Sequence, residues 1–413
     1  MEHQSREQRT LHSKERFLGK FFETARAALM ERPAKSAAHR VAGLMWAFVL
    51  VTIKADYSRP FSCKSGSATT RFCPDVNQNP DQTERRSQNN VCYMNTVHSS
   101  PAVALFGASG AIGKALAPLL APQPFRVIGR SHTQLASVFA ACPGANLAVW
   151  HPADPNTAVA ALGGIQTLVY LVGVPYTEFR SHPILFEQVL TAATQAGVER
   201  CVLVGTVYPF GFARTPLVRE DHPRNPHTFK GQMRKQQEDI LLSADAAGRI
   251  RGTILRLPDF YGPRTARSYL SSLFQGAARR KTAQLIGPLN TPHEYVYIPD
   301  VARILFRLIQ EEKAYGRTWH LAGAGRITLS ELIQLVESIT GRRLRKLVVG
   351  KRSLQVLGLF NPLLREVAEM HYLQTQPLFL DDSALTELLG PLGKTSYAEG
   401  VRASLAAEME PRQ

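Results

Sequence analysis

The stretch from residue 102 to residue 113 (AVALFGASGAIG) constrains the fold more than any other part of the chain. A short run of strand-forming residues leads into Gly107, Gly110 and Gly113, and a helical pattern follows them. This order is typical of the first βα unit of a dinucleotide-binding domain, in which the glycines permit a tight turn, the approach of a pyrophosphate and close helix packing. The positive end of the helix then faces the phosphates. We predict cofactor contacts from Gly107, Ser109, Gly110, Ala111, Ile112 and Gly113.

Downstream, apolar runs alternate with helical patterns, which predicts parallel strands joined by crossover helices. Strands are expected at 125–130, 146–150, 167–172, 201–206 and 252–257. The predicted fold class is therefore α/β, a Rossmann-type doubly wound parallel sheet with a smaller mixed C-terminal substrate lobe. We expect the NAD(P)-binding domain to span residues 94–265 and the lobe to span residues 266–413, interleaved with the sheet.

The end of the second predicted strand bears on the choice of cofactor. An acidic residue there usually accepts hydrogen bonds from the ribose 2′-hydroxyl of NAD, but this strand ends at Arg130 and no carboxylate follows directly. A guanidinium suits a 2′-phosphate, so we expect NADP, with NAD and an unliganded surface arginine as alternatives. Asp154 falls where an adenine contact is expected. Val172, Gly173 and Pro258 follow later strands, at the edge of the sheet where the cofactor would lie.

Residues 1–93 differ from the rest of the chain, because they are rich in Arg, Lys, Gln, Ser and Asn and show no strand alternation. Residues 10–32 could form a basic amphipathic helix, and the apolar run at 41–53 is shorter than the roughly 18 residues of a membrane span. Met94 stands just before the first strand. We interpret residues 1–93 as a disordered leader or an upstream extension of a protein that begins at Met94; a targeting segment is the alternative.

Composition bears on the partners and the compartment. The formal net charge is +16, but no nucleic-acid-binding motif accompanies it, so we expect no nucleic acid as a partner. No apolar run reaches the roughly 18 residues of a membrane span, so we expect no membrane as a partner either. Five cysteines in 413 residues are too few for a disulfide scaffold and lack zinc-type spacing, which favours a reducing, cytoplasmic location and no metal. The expected partner is a small-molecule substrate, and a homodimer is left open.

Several segments beyond the glycine turn carry a resemblance to a known family. They are Val204-Gly205-Thr206 at the end of the fifth strand, residues 255–263 (LRLPDFYGP), residues 295–302 (YVYIPDVA) and the C-terminal stretch 380–400. With these motifs, residues 101 to about 405 resemble the extended short-chain dehydrogenase/reductases of the NAD-dependent epimerase/dehydratase family. The resemblance implies a nicotinamide cofactor and chemistry at a carbonyl or hydroxyl carbon.

The catalytic pattern departs from the one that this resemblance implies. The family has a Ser or Thr after strand five and then, on a helix, a Tyr and a Lys four residues apart; the Tyr exchanges a proton with the substrate oxygen, and the Lys holds the nicotinamide ribose. Thr206 matches the hydroxyl position. Counting back from Glu238 places Lys230 at the Tyr position and Arg234 at the Lys position. Arg234 could hold the ribose but, as a permanent cation, cannot relay a proton.

Lys230 could exchange a proton only if burial or nearby cations lowered its pKa from roughly 10.4 toward neutrality. Because Lys230, Arg234 and Glu238 share one helical face, an exposed stripe of ion pairs is the alternative. If Lys230 is not the proton donor, the remaining candidates are Tyr208, Asp259, Tyr261 and His293.

We expect an NAD(P)-dependent oxidoreductase or epimerase/dehydratase-type enzyme that acts on a sugar-like or other small carbonyl substrate. Its altered active site would contain Thr206, Lys230 and Arg234. A partial likeness to the plant-type 5β-reductase and iridoid-synthase branch, which has a Lys where this chain has Val207, leaves ene reduction open. The competing hypothesis is a non-catalytic NADP-binding sensor or regulatory protein.

Overall fold

The computed structural model describes residues 102–121, 123–266 and 268–410. The leader predicted at 1–93 and the proposed start at Met94 lie outside the described residues. Within the described ranges, no helix is both long and apolar enough to cross a bilayer.

Seven strands form one sheet in the order β10-β6-β5-β4-β1-β2-β3. They are β1 (Val103–Phe106), β2 (Phe125–Gly129), β3 (Ala145–Val149), β4 (Thr167–Tyr170), β5 (Arg200–Thr206), β6 (Arg251–Leu257) and β10 (Arg317–His320). Every neighbouring pair is parallel. Strand order reverses direction between β1 and β4, which is the point at which doubly wound sheets bind their ligands. The prediction of a Rossmann-type parallel sheet is confirmed.

Helices cover both faces of this sheet because its strands are apolar on both sides. On β1, Leu105 packs into one apolar cluster, whereas Ala104 and Phe106 pack into the cluster on the opposite face. The helices of the main layers are α1 (Ala111–Leu120), α2 (His132–Phe139), α3 (Pro155–Leu162), α4 (Ser181–Gln195), α5 (Phe229–Ala246) and α7 (Ile298–Gln310).

The smaller lobe is a mixed α/β region. Its strands are β7 (Asp259–Tyr261), β8 (Ala283–Ile286), β9 (Pro292–Tyr297), β11 (Arg326–Thr328) and β12 (Lys346–Val349), which form sheets β11-β9-β7 and β12-β8. Its helices are α6 (Ser271–Ala278), α8 (Leu329–Thr340), α9 (Lys351–Gly358), α10 (Pro362–Met370), α11 (Tyr372–Thr375) and α13 (Tyr397–Met409), whereas α12 (Ser383–Leu389) packs on the core of the main sheet through Leu385.

The two parts interleave along the chain. Strand β10 lies in the predicted substrate lobe by sequence position, but it pairs with β6 at the edge of the main sheet. Its Trp319 is buried, and the indole N–H donates to the carbonyl oxygen of Ala314 at 2.9 Å. Helix α7 and strand β10 follow residue 265 in sequence but belong to the main layers. The main sheet therefore continues past residue 265, and the domain boundary expected there stays a prediction.

Candidate active site

The turn between β1 and α1 has a backbone that fits glycine. Gly107 has a φ of +85°, and a Cβ atom added there would lie 2.9 Å from the backbone of Val172. A Cβ atom on Gly113 would lie 2.2 Å from the carbonyl oxygen of Ala108, so α1 packs directly against the turn. No side chain accepts a hydrogen bond at the N-cap of α1, Gly110, whereas side chains cap α2 and α3. The uncapped N–H groups of α1 therefore fit a pyrophosphate.

The other residues predicted to bind the cofactor lie along the same edge of the sheet. Arg130 follows β2 and is exposed, with no carboxylate paired to it among the described residues. Asp154 caps α3, since its Oδ1 accepts the N–H of Asn156 at 3.1 Å. Val172 and Gly173 follow β4, and the buried Pro258 follows β6; Ser109, Ala111 and Ile112 complete the glycine turn and the start of α1. Cofactor contacts from all of these residues stay predictions.

Two tyrosines from neighbouring strand ends share a hydrogen bond. Tyr176 follows β4, Tyr208 follows β5, and their hydroxyl oxygens are 2.6 Å apart. The hydroxyl of Thr206, at the end of β5, accepts the N–H of Tyr208 at 3.4 Å. Burial raises the pKa of Tyr176 to about 12 although the hydrogen bond with Tyr208 opposes this, and burial also raises the pKa of Tyr208. Both phenols are therefore protonated near neutral pH and can donate to a substrate oxygen.

A carboxyl group faces the same region from the next strand end. Asp259 begins β7 directly after β6, and burial raises its pKa to about 7. After burial itself, the charge of Asp259 contributes to the raised pKa values of Tyr176, Tyr208 and Tyr269. A carboxyl group with a pKa near 7 can both give and take a proton at neutral pH. Tyr269 was not predicted from sequence, because the loop that carries it has no periodic pattern.

Arg234 lies on α5 and reaches toward the end of β4. Its Nη1 donates to Oε1 of Gln237 at 2.5 Å and lies 3.4 Å from Nδ1 of His182. Burial, with a smaller effect of the Arg234 charge, lowers the pKa of His182 to about 2, so this imidazole is neutral and can accept. The buried Nε of Arg234 has no hydrogen-bond partner among the described residues. That donor fits a ribose hydroxyl, which is the role predicted for Arg234.

Lys230 lies one turn before Arg234, and its side chain is fully buried. Its ammonium group pairs with Glu366 at 2.5 Å and also with Glu369, both on α10. The backbone N–H of Lys230 donates to Glu369 as well, at 3.2 Å. The ammonium lies 5.4 Å from the ring centre of Tyr176. The sequence-based expectation placed cations beside Lys230, but its hydrogen-bond partners are two carboxylates, which compensate its charge.

The alternative interpretation of the α5 pattern, an exposed stripe of ion pairs, is wrong. Lys230 and Glu238 are both buried. Glu238 accepts two hydrogen bonds from Arg256 of β6, at 3.0 and 2.8 Å, and a third from Arg224 at 3.2 Å. Glu238 therefore ties α5 to the sheet, and this connection positions Arg234 next to the strand ends.

Two of the predicted alternative proton donors have other surroundings. Tyr261 is buried in the apolar core of the smaller lobe, where its ring packs near Phe274 and Tyr397. His293 on β9 lies 3.3 Å from the carbonyl oxygen of Gln374, and burial lowers its pKa. Neither residue is hydrogen-bonded to Tyr176, Tyr208 or Thr206 among the described residues. Their catalytic roles stay predictions that the geometry does not favour.

The part of the chain that the structure describes contains no cluster of three or more His, Cys, Asp or Glu side chains that could hold a metal ion. The groups that lie together beyond the strand ends are the tyrosines, Arg234, Thr206 and Asp259. Sequence reasoning named four of these groups but not the partnership of Tyr176 with Tyr208, because two different loops bring them together.

A doubly wound sheet whose glycine turn lies at the strand-order reversal defines a dinucleotide-binding α/β protein. Residues 103–322 match the model of the NAD dependent epimerase/dehydratase family, and the chain belongs to this family.

Two curated relatives align with about half of the chain. The uncharacterized protein y4nL of Sinorhizobium fredii is 26% identical over 235 residues, which cover 52% of this chain and 64% of that protein. The dTDP-6-deoxy-L-talose 4-dehydrogenase (NAD(P)(+)) of Kitasatospora kifunensis is 29% identical over 224 residues, which cover 50% of this chain and 70% of that protein. The chain thus spans less than two thirds of the first of these relatives.

A solved structure shows the same fold over a longer range. UDP-glucuronic acid 4-epimerase from Bacillus cereus, in complex with NAD, aligns with a TM-score of 0.61 at 16% identity, covering 74% of this chain and 98% of that chain. At this identity the likeness establishes the fold, while the chemistry has to be argued from the residues of this chain.

Proposed function

We propose that the protein is an NAD(P)-dependent oxidoreductase or epimerase that acts on a sugar, free or nucleotide-linked, or on a similar small carbonyl compound. The observation that carries the proposal is the convergence of Tyr176, Tyr208, Arg234 and Asp259 beyond the strand ends, on the sheet edge that holds the uncapped glycine turn. The names of two similar proteins, a deoxy-talose dehydrogenase and a glucuronic acid epimerase, support a sugar substrate.

The cofactor, when bound, supplies hydride transfer at the nicotinamide ring. The glycine turn would hold its pyrophosphate, and Arg234 would hold the ribose hydroxyls through the donor that has no other partner. The exposed Arg130 would pair with a 2′-phosphate, so NADP is the proposed cofactor. These groups orient the reacting carbon without taking part in proton transfer.

Proton exchange is assigned to the tyrosine pair. Thr206 and Tyr208 would donate hydrogen bonds to the substrate oxygen, and Tyr176 would replace a proton that Tyr208 gives up, because their hydroxyl groups are 2.6 Å apart. Asp259 would supply or remove the proton at the outer end of this path, since its pKa is raised to about 7. Lys230, paired with Glu366 and Glu369, would hold the wall of the site in this proposal rather than act as its acid.

The test combines cofactor titration with turnover. Wild-type protein should bind NADPH more tightly than NADH and should turn over at least one member of a panel of UDP- and dTDP-linked sugars. Tyr208→Phe removes the proton but keeps the ring, so kcat should fall by about 10²- to 10⁴-fold, the usual contribution of a general acid or base. The affinity for NADPH should stay unchanged. Tyr297→Phe is the matched control, because this tyrosine of β9 makes no side-chain hydrogen bond to the site residues within the described ranges.

If Tyr208→Phe leaves turnover unchanged, the proton donor is a residue other than Tyr208. Tight NADPH binding with no turnover of any sugar or simple carbonyl compound would instead favour the non-catalytic sensor. Equal affinities for NADPH and NADH would remove the role proposed for Arg130.

A further inference from the structure

The hairpin of α9 and α10 carries the most exposed large apolar side chains of the described residues. Leu359 and Phe360, in the turn between the two helices, are 80% and 79% exposed, and Val356 is 50% exposed. Arg352 and Val356 are spaced i and i+4, and the turn residues continue this face at i+7 and i+8. The opposite side of α9 packs inward through Leu354 and Leu357. The hairpin is therefore anchored in the lobe while its apolar tip protrudes.

The segment that leads into this tip and follows it is strongly basic. Residues 342–365 contain seven basic residues and no acidic residue: Arg342, Arg343, Arg345, Lys346, Lys351, Arg352 and Arg365. All seven are exposed. Among the described residues only Arg365 pairs with a carboxylate, that of its neighbour Glu366 at 3.7 Å. Together with Val356, Leu359 and Phe360, these seven residues form what we call the basic-apolar surface.

We propose that the basic-apolar surface docks on an anionic lipid bilayer. Side chains that are about four-fifths exposed protrude from the surface, so they can enter the boundary between headgroups and acyl chains, while arginines and lysines remain at the level of the headgroups. Seven exposed basic side chains, of which only Arg365 pairs with a carboxylate among the described residues, complement anionic lipid. A partner protein is the less suitable occupant, because a protein-protein interface typically has few charges at its core and apolar residues that fill pockets.

This proposal departs from the sequence-based expectation that no membrane is a partner. That expectation rested on the absence of a spanning segment, and a peripheral contact needs none. The proposal is independent of the reaction at the active site, because none of the residues of the basic-apolar surface belongs to the groups assigned to cofactor or substrate.

The experiment measures co-sedimentation of the full chain with vesicles of phosphatidylcholine alone and of phosphatidylcholine with 30% phosphatidylglycerol. We expect binding to the anionic vesicles only, weakening as salt shortens the screening length. L359S/F360S should weaken binding by about 10-fold or more, because it removes the inserting groups. R342Q/R343Q/R345Q/K346Q should weaken it by roughly fivefold per charge removed.

Two control variants make the same kinds of substitution at exposed positions outside the basic-apolar surface. Ile184→Ser removes an exposed apolar side chain from α4, and Arg249→Gln removes an exposed charge near the end of α5. Both should bind vesicles like the wild type. All variants should keep the melting temperature and NADPH affinity of the wild type, which separates this test from that of the proposed function.

Three results would overturn the proposal. The first is no binding to anionic vesicles at millimolar lipid. The second is binding that L359S/F360S and the charge variant leave unchanged, which would place the contact in another part of the chain. The third is a change of oligomeric state in L359S/F360S without vesicle binding, which would make this surface a protein interface.

Discussion

At the scale of single residues, the charge of Lys230 has no contact with solvent and is compensated by two carboxylates from one turn of α10. The carboxylates keep 23% and 25% of their side chains exposed. Lys230→Met would leave Glu369 without its cation and Glu366 with only the exposed Arg365 at 3.7 Å, and the two carboxylates would repel each other. We expect a loss of unfolding free energy toward the lower end of the roughly 3–5 kcal/mol that follows removal of one partner from a buried pair.

Chemical denaturation measures this loss, and a triple variant, K230M/E366Q/E369Q, separates structure from catalysis. It should recover much of the stability, because the uncompensated charges are gone. If Lys230 only holds α10, turnover recovers with stability; a stable triple variant without turnover would return Lys230 to the catalytic role. Lys235→Met, which breaks the partly exposed pair with Asp239 on the same helix, should cost no more than about 0.5 kcal/mol.

At the scale of elements, the position of α1 depends on the absence of a side chain at Gly113. Gly113→Ala would place a Cβ atom 2.2 Å from the carbonyl oxygen of Ala108, which is backbone and cannot move independently of the turn. Helix α1 must shift away, so we expect a lower melting temperature and NADPH affinity reduced by at least about 10-fold, since the phosphate-facing N–H groups move with the helix. Thermal unfolding and cofactor titration measure the two effects.

Gly163→Ala is the control for this prediction. Gly163 follows α3 with a φ of −55°, and the nearest atom to an added Cβ would be 3.6 Å away. This variant should keep both properties. A Gly113→Ala protein that binds NADPH normally would show that α1 does not set the geometry of the phosphate site.

The elements could be predicted from sequence to within about one to three residues wherever local pattern decides them. Strand β4 was expected at 167–172 and spans Thr167–Tyr170, because buried parallel strands are continuous apolar runs. The place of β10 in the main sheet was not predicted, since strand pairing across more than 60 residues leaves no local signal. For the same reason, the contact of Lys230 with Glu366, 136 residues away, could not be predicted.

At the scale of the whole molecule, stability should depend on the buried carboxyl group of Glu294 and the partly buried carboxyl group of Asp259. Burial raises the pKa of Asp259 and that of Glu294 to about 7 each, whereas both would titrate near 4 in the unfolded chain. Between about pH 4 and pH 7 the folded protein retains protons that the unfolded chain releases. This contribution to the unfolding free energy is fully present below pH 4 and is lost as the pH rises through 7.

The double variant D259N/E294Q should flatten this part of the stability profile and should be more stable than the wild type at pH 8. Denaturation midpoints measured from pH 4 to pH 8 provide the comparison. Asp221→Asn, at an exposed position, should leave the profile unchanged. A wild-type profile that rises between pH 5 and pH 7, with the double variant parallel to it, would contradict the raised pKa values.

The ion-pair contact between Lys230 and α10 also bears on how the specificity of such a protein could change. The strand ends and α5 supply the proposed reacting groups, whereas the opposite wall comes from a segment more than 90 residues further along the chain. A single buried cation and two carboxylates fasten that wall to α5. Any replacement of the hairpin that keeps carboxylates at these two positions could be fastened in the same way. The wall could then be exchanged between relatives, as a change of specificity, while the reacting groups stay in place.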